Sequence, residues 1–117
     1  MFPIRYLLLL CLVNPTTSWS QTPSPSSKVL GLADMSCAAW AKTKSDSDAR
    51  APYLDWARGF LSGHNYGQPG KSVSVMSNGT IAAYVDRHCA EKSASSVDVA
   101  LMRMSDQYSG RNAPITR

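Results

Sequence analysis

Apolar residues recur along this chain with the spacing of helix faces, in four stretches set between two polar ends. The longest pattern lies in the second stretch. There Tyr53, Trp56, Ala57, Phe60, Leu61 and His64 stand at i, i+3, i+4, i+7, i+8 and i+11, which is one side of a helix. Pro52 suits the first turn of that helix, and Gly67, Pro69 and Gly70 end it. A shorter stretch precedes it: Asp34 is the expected N-cap of a helix running through Met35, Cys37, Ala38, Ala39, Trp40 and Ala41. The polar run Thr43 to Ala51 reads as the loop between them. Lys71 to Met76 alternates like a strand but has no second strand to pair with, so it reads as an extended loop. Asn78 then caps a third helix with Ile81, Tyr84, Val85, His88 and Cys89 on one face. A fourth opens at Ser95-Ser96-Val97-Asp98, which has capping-box form with Asp in place of Glu or Gln. Its face is Val97, Ala100, Leu101, Met104 and Tyr108. The pattern predicts an all-α domain over residues 34–108, a compact bundle of four short helices.

The two ends are of another kind. Arg5 followed by the apolar run Tyr6 to Val13, Pro15 and the small residues Ser18 and Ser20 matches a secretory signal cleaved before Gln21. Eight apolar residues fall well short of the roughly 20 that cross a bilayer, so no membrane span is expected. Residues 21–33, rich in Pro and Ser, read as a disordered leader, and 109–117 as a flexible tail. Of the 117 residues, 97 would remain after cleavage, in the periplasm or secreted.

Cleavage also changes the cysteine count. Cys11 leaves with the signal, and the odd total of three becomes the pair Cys37 and Cys89. In an oxidising compartment the expected state is a single disulfide from the first helix to the end of the third. Two reduced, buried thiols are the alternative. A metal site lacks partners, because His64 and His88 are not at ligand spacing with the cysteines.

Charge adds little. The formal +4 falls to +3 once Arg5 is removed, 11 basic against 8 acidic residues, and the basic residues are scattered. That argues against a nucleic-acid partner. No catalytic set is present: Gly59-Phe60-Leu61-Ser62-Gly63 has neither the spacing nor the strand-turn-helix setting of a nucleophile elbow, and Asp55 with Arg58 at i+3 reads as a surface pair. No enzyme, cofactor or metal is therefore expected. Gly59 and Gly63, four apart inside a helix, cost about 1 kcal/mol each relative to alanine, which points to close packing of another backbone on that side. His64 in a last turn and His88 beside the cysteine are the candidate pH-sensitive groups. Asn78-Gly79-Thr80 matches a glycosylation sequon, although asparagine is equally a natural helix cap.

The order of these segments resembles a known family. Met35-Ser36-Cys37-Ala38-Ala39-Trp40, then Trp56-Ala57-Arg58-Gly59-Phe60-Leu61-Ser62-Gly63-His64-Asn65, then Tyr84-Val85-Asp86-Arg87-His88-Cys89 and a final amphipathic helix is similar to the HdeA/HdeB-like superfamily of small exported helical proteins, over roughly residues 34–105. The W-x-x-G-F-x-x-G-x-N run is closer to uncharacterised relatives than to the acid chaperones themselves. The resemblance implies a helical fold with a Cys37–Cys89 disulfide. It also implies a homodimer that opens in acid and holds unfolded client proteins. Trp40, Tyr53, Trp56, Phe60, Ile81, Tyr84 and Val85 are then candidates for core or client surface. The competing expectation is an immunity protein that neutralises a toxin by binding it directly.

Overall fold

A computed structural model describes residues 29–111. The expected signal segment, the leader through residue 28 and the tail beyond 111 lie outside the described residues. Four α-helices follow one another: α1 (Cys37–Ala41), α2 (Ser47–Gly67), α3 (Asn78–Glu91) and α4 (Val97–Tyr108), with a 3-10 turn at Pro69–Lys71. Among the described residues there is no strand, only an isolated antiparallel bridge between Ser36 and Ser96. The predicted all-α bundle is the observed architecture.

Each helix begins a little away from where the sequence suggests, because the chain had several cap-forming residues to choose from. Ser36, not Asp34, caps α1: its Oγ accepts from the Ala39 N–H, while Asp34 accepts from the Ser36 N–H one step earlier. Helix α2 starts inside the predicted loop, capped by Asp46 with Asp48 in its first turn. Pro52 is thus its sixth residue, an exposed place where the missing N–H costs one bond near the helix start. Ser77 caps α3 and Asn78 is that helix's first residue. Helix α4 begins at Val97 and makes no side-chain cap bond at Ser96. Its first N–H goes instead to Met35 O at 2.7 Å, and the Cys37 N–H reaches Ser95 O at 3.0 Å. Two helix N-termini therefore satisfy their orphan donors on each other's flanking backbone.

Helix α4 lies against both α2 and α3, and α1 rests on α3. Val97, Ala100, Leu101 and Met104 present a face no more than 1% exposed, and it meets Ile81 and Val85 of α3 and Ala57 and Leu61 of α2. Helix α1 has five residues, too few to persist alone. Its buried Trp40 and the Cys37–Cys89 disulfide, with Cα atoms 5.2 Å apart, attach it to α3. The connector 72–77 stays extended without a strand partner because Asn65 acts as one. The Asn65 amide donates to Val73 O at 2.9 Å and accepts from Val73 N at 2.7 Å, which buries the Val73 side chain.

An expectation about packing fails too. No second backbone packs on Gly59 and Gly63: both are exposed, and a Cβ at either would meet no atom within 4 Å. The buried face of α2 runs through Tyr53, Ala57 and Leu61, and each glycine lies about 200° round the helix from Ala57 or Leu61. The ends of the domain are also more firmly held than leader and tail imply. Leu30 O accepts from Trp56 Nε1 at 2.7 Å, Leu32 packs on the core, and Gly110 N donates to Ser72 O at 3.1 Å.

Candidate functional site

Where α1, the start of α2 and α3 converge, one carboxylate organises three segments. Asp86 accepts from Trp40 Nε1 at 2.8 Å and from both terminal nitrogens of Arg50 at 3.2 and 3.3 Å. Arg50 Nε donates to Thr43 Oγ1, and the guanidinium lies 3.8 Å over the Trp40 ring, a cation–π contact. Tyr53 meets that indole in a T-shaped contact at 5.8 Å and donates its hydroxyl proton to Asp34 O. Hydrogen bonds from Ser36, its hydroxyl first and then its backbone N–H, hold the Asp34 carboxyl below the usual carboxylate range. Arg50 and Asp86, with Lys44 beside them, border an open pocket floored by Ala38, Ala41, Ala90 and the disulfide.

At the other end of the disulfide sits His88. Its side chain is buried, and Nε2 lies 2.7 Å from Ser95 Oγ. Ser95 is also the residue whose carbonyl holds the N-terminus of α1, so the imidazole stands beneath the junction of α1 and α4. Burial pushes its pKa down, Arg103 and Lys92 push in the same direction, and Glu91 opposes them. A histidine against a hydroxyl can also be a base with its nucleophile. Here no carboxylate is hydrogen-bonded to the imidazole among the described residues, and the contact serves the junction. His64 is elsewhere: its Nε2–H faces Lys71 O at 3.0 Å and Ser109 Oγ at 3.2 Å, tying α2 to the 3-10 turn and to the end of α4.

The W-x-x-G-F-x-x-G-x-N run resolves into separate duties. Trp56 and Phe60 stack with centroids 5.5 Å apart on the half-buried flank of α2. Asn65 clamps Val73, and the two glycines face solvent. Beside them, Leu61, Val73, Val75, Met76 and Ile81 line a shallow groove between α2, the connector and α3. Val75 in this groove is 97% exposed and Tyr66 nearby in sequence is 92% exposed. Arg58 borders the groove. It is not paired with Asp55 as the sequence suggests, but donates to Met76 O at 3.0 Å and Asn78 Oδ1 at 3.3 Å.

Of the aromatic and aliphatic candidates, Trp40, Tyr53, Ile81 and Val85 are core, whereas Trp56, Phe60 and Tyr84 are half-buried around it. Burial and the neighbouring Tyr108 raise the Tyr84 hydroxyl pKa, and that hydroxyl donates to Gln107. Sequence reasoning missed Arg50, Asp86 and Asn65. Asp86 and Trp40 are 46 residues apart, and nothing local marks them as partners. Among the described residues no group of three His, Cys, Asp or Glu side chains could hold a metal ion, and no helix is long and apolar enough to cross a membrane. No family model, curated protein or solved structure matches the chain.

Proposed function

We propose that this is a small exported protein-binding module of the acid-stress chaperone kind, closed at neutral pH and opened by acid to hold unfolded clients. The observation that carries the reading is the buried His88 at the α1–α4 junction. Its folded-state pKa lies below the ordinary 6.5, so an opened chain takes up the proton more readily than the closed one. Junction stability is whole above 6.5, declines as pH falls from there toward the folded-state value, and stays reduced in stronger acid. In stronger acid the basic residues lose the opposing charge of surface carboxylates, and the added self-repulsion strains the compact state further. The disulfide still ties α1 to α3, so acid would loosen the bundle without releasing the chain. Export fits the disulfide, which persists in oxidising compartments.

The test is suppression of client aggregation at about pH 2–3, with the resting assembly followed by light scattering. Protection in acid that is lost at neutral pH supports the proposal. Unchanged aggregation across that range sinks it. A stable neutral-pH complex with one toxin, without client protection, would favour the immunity reading instead.

A further inference from the structure

We propose that Asn78-Gly79 is a self-modifying site, at which the asparagine amide converts without an enzyme into a carboxylate that pairs with Arg58. Four features meet at this dipeptide. Asn78 and Gly79 are the first two residues of α3, and both are exposed. Helix start positions leave N–H groups outside the ladder. The Ser77 hydroxyl and carbonyl take the N–H groups of Thr80 and Ile81, while the Gly79 N–H has no partner among the described residues. Gly79 has no side chain to obstruct approach to its nitrogen. Finally, Arg58 Nη1 stands 3.3 Å from Asn78 Oδ1, where it draws electron density from Cγ and makes that carbon a better electrophile.

The chemistry closes with water alone. The Gly79 nitrogen gives its proton to hydroxide and attacks Asn78 Cγ, forming a C–N bond. Nδ2 takes a proton from water, which regenerates the hydroxide, the Cγ–Nδ2 bond breaks, ammonia leaves, and a five-membered succinimide remains. Water then adds to one of the two imide carbonyls and opens the ring, giving an aspartyl or isoaspartyl residue. The positive end of the α3 dipole stabilises the charge that develops on the Gly79 nitrogen, and it stabilises the product carboxylate too. Because Asn78 is the first helical residue, the rotation that brings the two atoms together disturbs only the first turn.

The aspartyl product changes the groove beside it. Arg58, now facing a carboxylate, also holds Met76 O at 3.0 Å. The new ion pair therefore fastens the connector to the start of α3 and lowers the net charge by one unit. This consequence is independent of acid chaperoning.

The experiment incubates the folded, oxidised chain at mildly alkaline pH and follows it by intact mass, peptide mapping and ion exchange. A gain of about 1 Da confined to Asn78, with an acidic shift on the column, is expected. Asn78→Gln removes the gain. Arg58→Met slows it about two- to tenfold, the rate equivalent of one net hydrogen bond, with circular dichroism showing that this variant still folds. Absence of the gain in the folded chain overturns the proposal, whether or not the urea-unfolded chain converts. Conversion of Arg58→Met at the unchanged rate overturns the activating role of the arginine.

Discussion

Opening the disulfide should remove a third or more of the stability of this domain. The bond joins residues 52 apart in sequence. Loop-closure entropy for a ring of that size, about −14 cal/mol/K in the chain-entropy relation, corresponds to roughly 4 kcal/mol at 25 °C. A domain of this length has a net stability of only about 4–12 kcal/mol at the usual 0.05–0.15 kcal/mol per residue. The loss is therefore a third of the total or more, equivalent to roughly 15–30 °C in midpoint temperature at ~4–8 °C per kcal/mol. The effect resides in the unfolded chain, which becomes larger and freer, so the urea dependence should also steepen. The assay is urea unfolding of the oxidised chain, the reduced chain and the double variant Cys37→Ala, Cys89→Ala. Comparing the last two isolates the packing contribution of the two thiols, of which Cys37 is 2% exposed. Coincident midpoints for oxidised and reduced chains would mean instead that the bond constrains nothing the fold does not already constrain.

Other parts of the structure give sharper single-site expectations. Leu101, fully buried between α2, α3 and α4, should cost about 2–5 kcal/mol as Leu101→Ala in the same urea assay. His88→Gln keeps a donor for Ser95 but cannot charge; stability should then fall less than in the parent between pH 7 and 5, measured as paired urea midpoints, because the parent His88 pKa is lowered by burial and by Arg103 and Lys92. Asp86→Ala leaves Arg50, whose side chain is 12% exposed, and the Trp40 indole without their acceptor, at about 1–3 kcal/mol. Gly63→Ala places a methyl in open space on an exposed helix position and should stabilise by about 0.5–1 kcal/mol.

The parts of this fold that could be read in the sequence are those whose cause is local. Period alone placed Tyr53, Ala57 and Leu61 on one face, and Ile81, Val85 and His88 on another. The disulfide was legible because subtraction of Cys11 left only one pair. Helix starts were less legible, since Asp34 and Ser36, or Ser77 and Asn78, are equally good cap chemistry and tertiary contacts chose between them. The Arg50–Asp86–Trp40 cluster was invisible, because its partners lie on different helices and none is unusual where it stands. Gly59 and Gly63 misled for the opposite reason. Their spacing is a genuine packing signal, but their angle from Ala57 and Leu61 puts them on the outside, where a helix of one chain has nothing to pack.

The attachments of the four helices are unequal, and that inequality decides what could move. Helix α1 is bonded covalently to α3 through Cys37 and Cys89. Helix α2 is tied to α1 and α3 through Arg50, and to the connector through Asn65. Helix α4 has one side-chain tie along its length, the Tyr84 hydroxyl donating to Gln107 Oε1 at 3.1 Å. It is held by its apolar face, by the backbone bridge at Ser36 and Ser96, and by Ser109 and Gly110 at its far end. His88 stands beside that bridge through Ser95, and Arg103 of α4 is near enough to disfavour a charge on the imidazole, so a proton there adds a positive charge that an arginine carried by α4 opposes. The imidazole whose charged form burial disfavours is thus next to a helix held chiefly by its apolar face. On the proposed reading, displacement of α4 bares Ile81, Val85, Ala57 and Leu61, a continuous apolar strip across α2 and α3. The disulfide holds α1 on α3, and the hydrogen bonds from Arg58 to Met76 O and Asn78 Oδ1 hold α2 on α3, so that strip stays intact while its cover is gone, which is the geometry a client-holding surface needs.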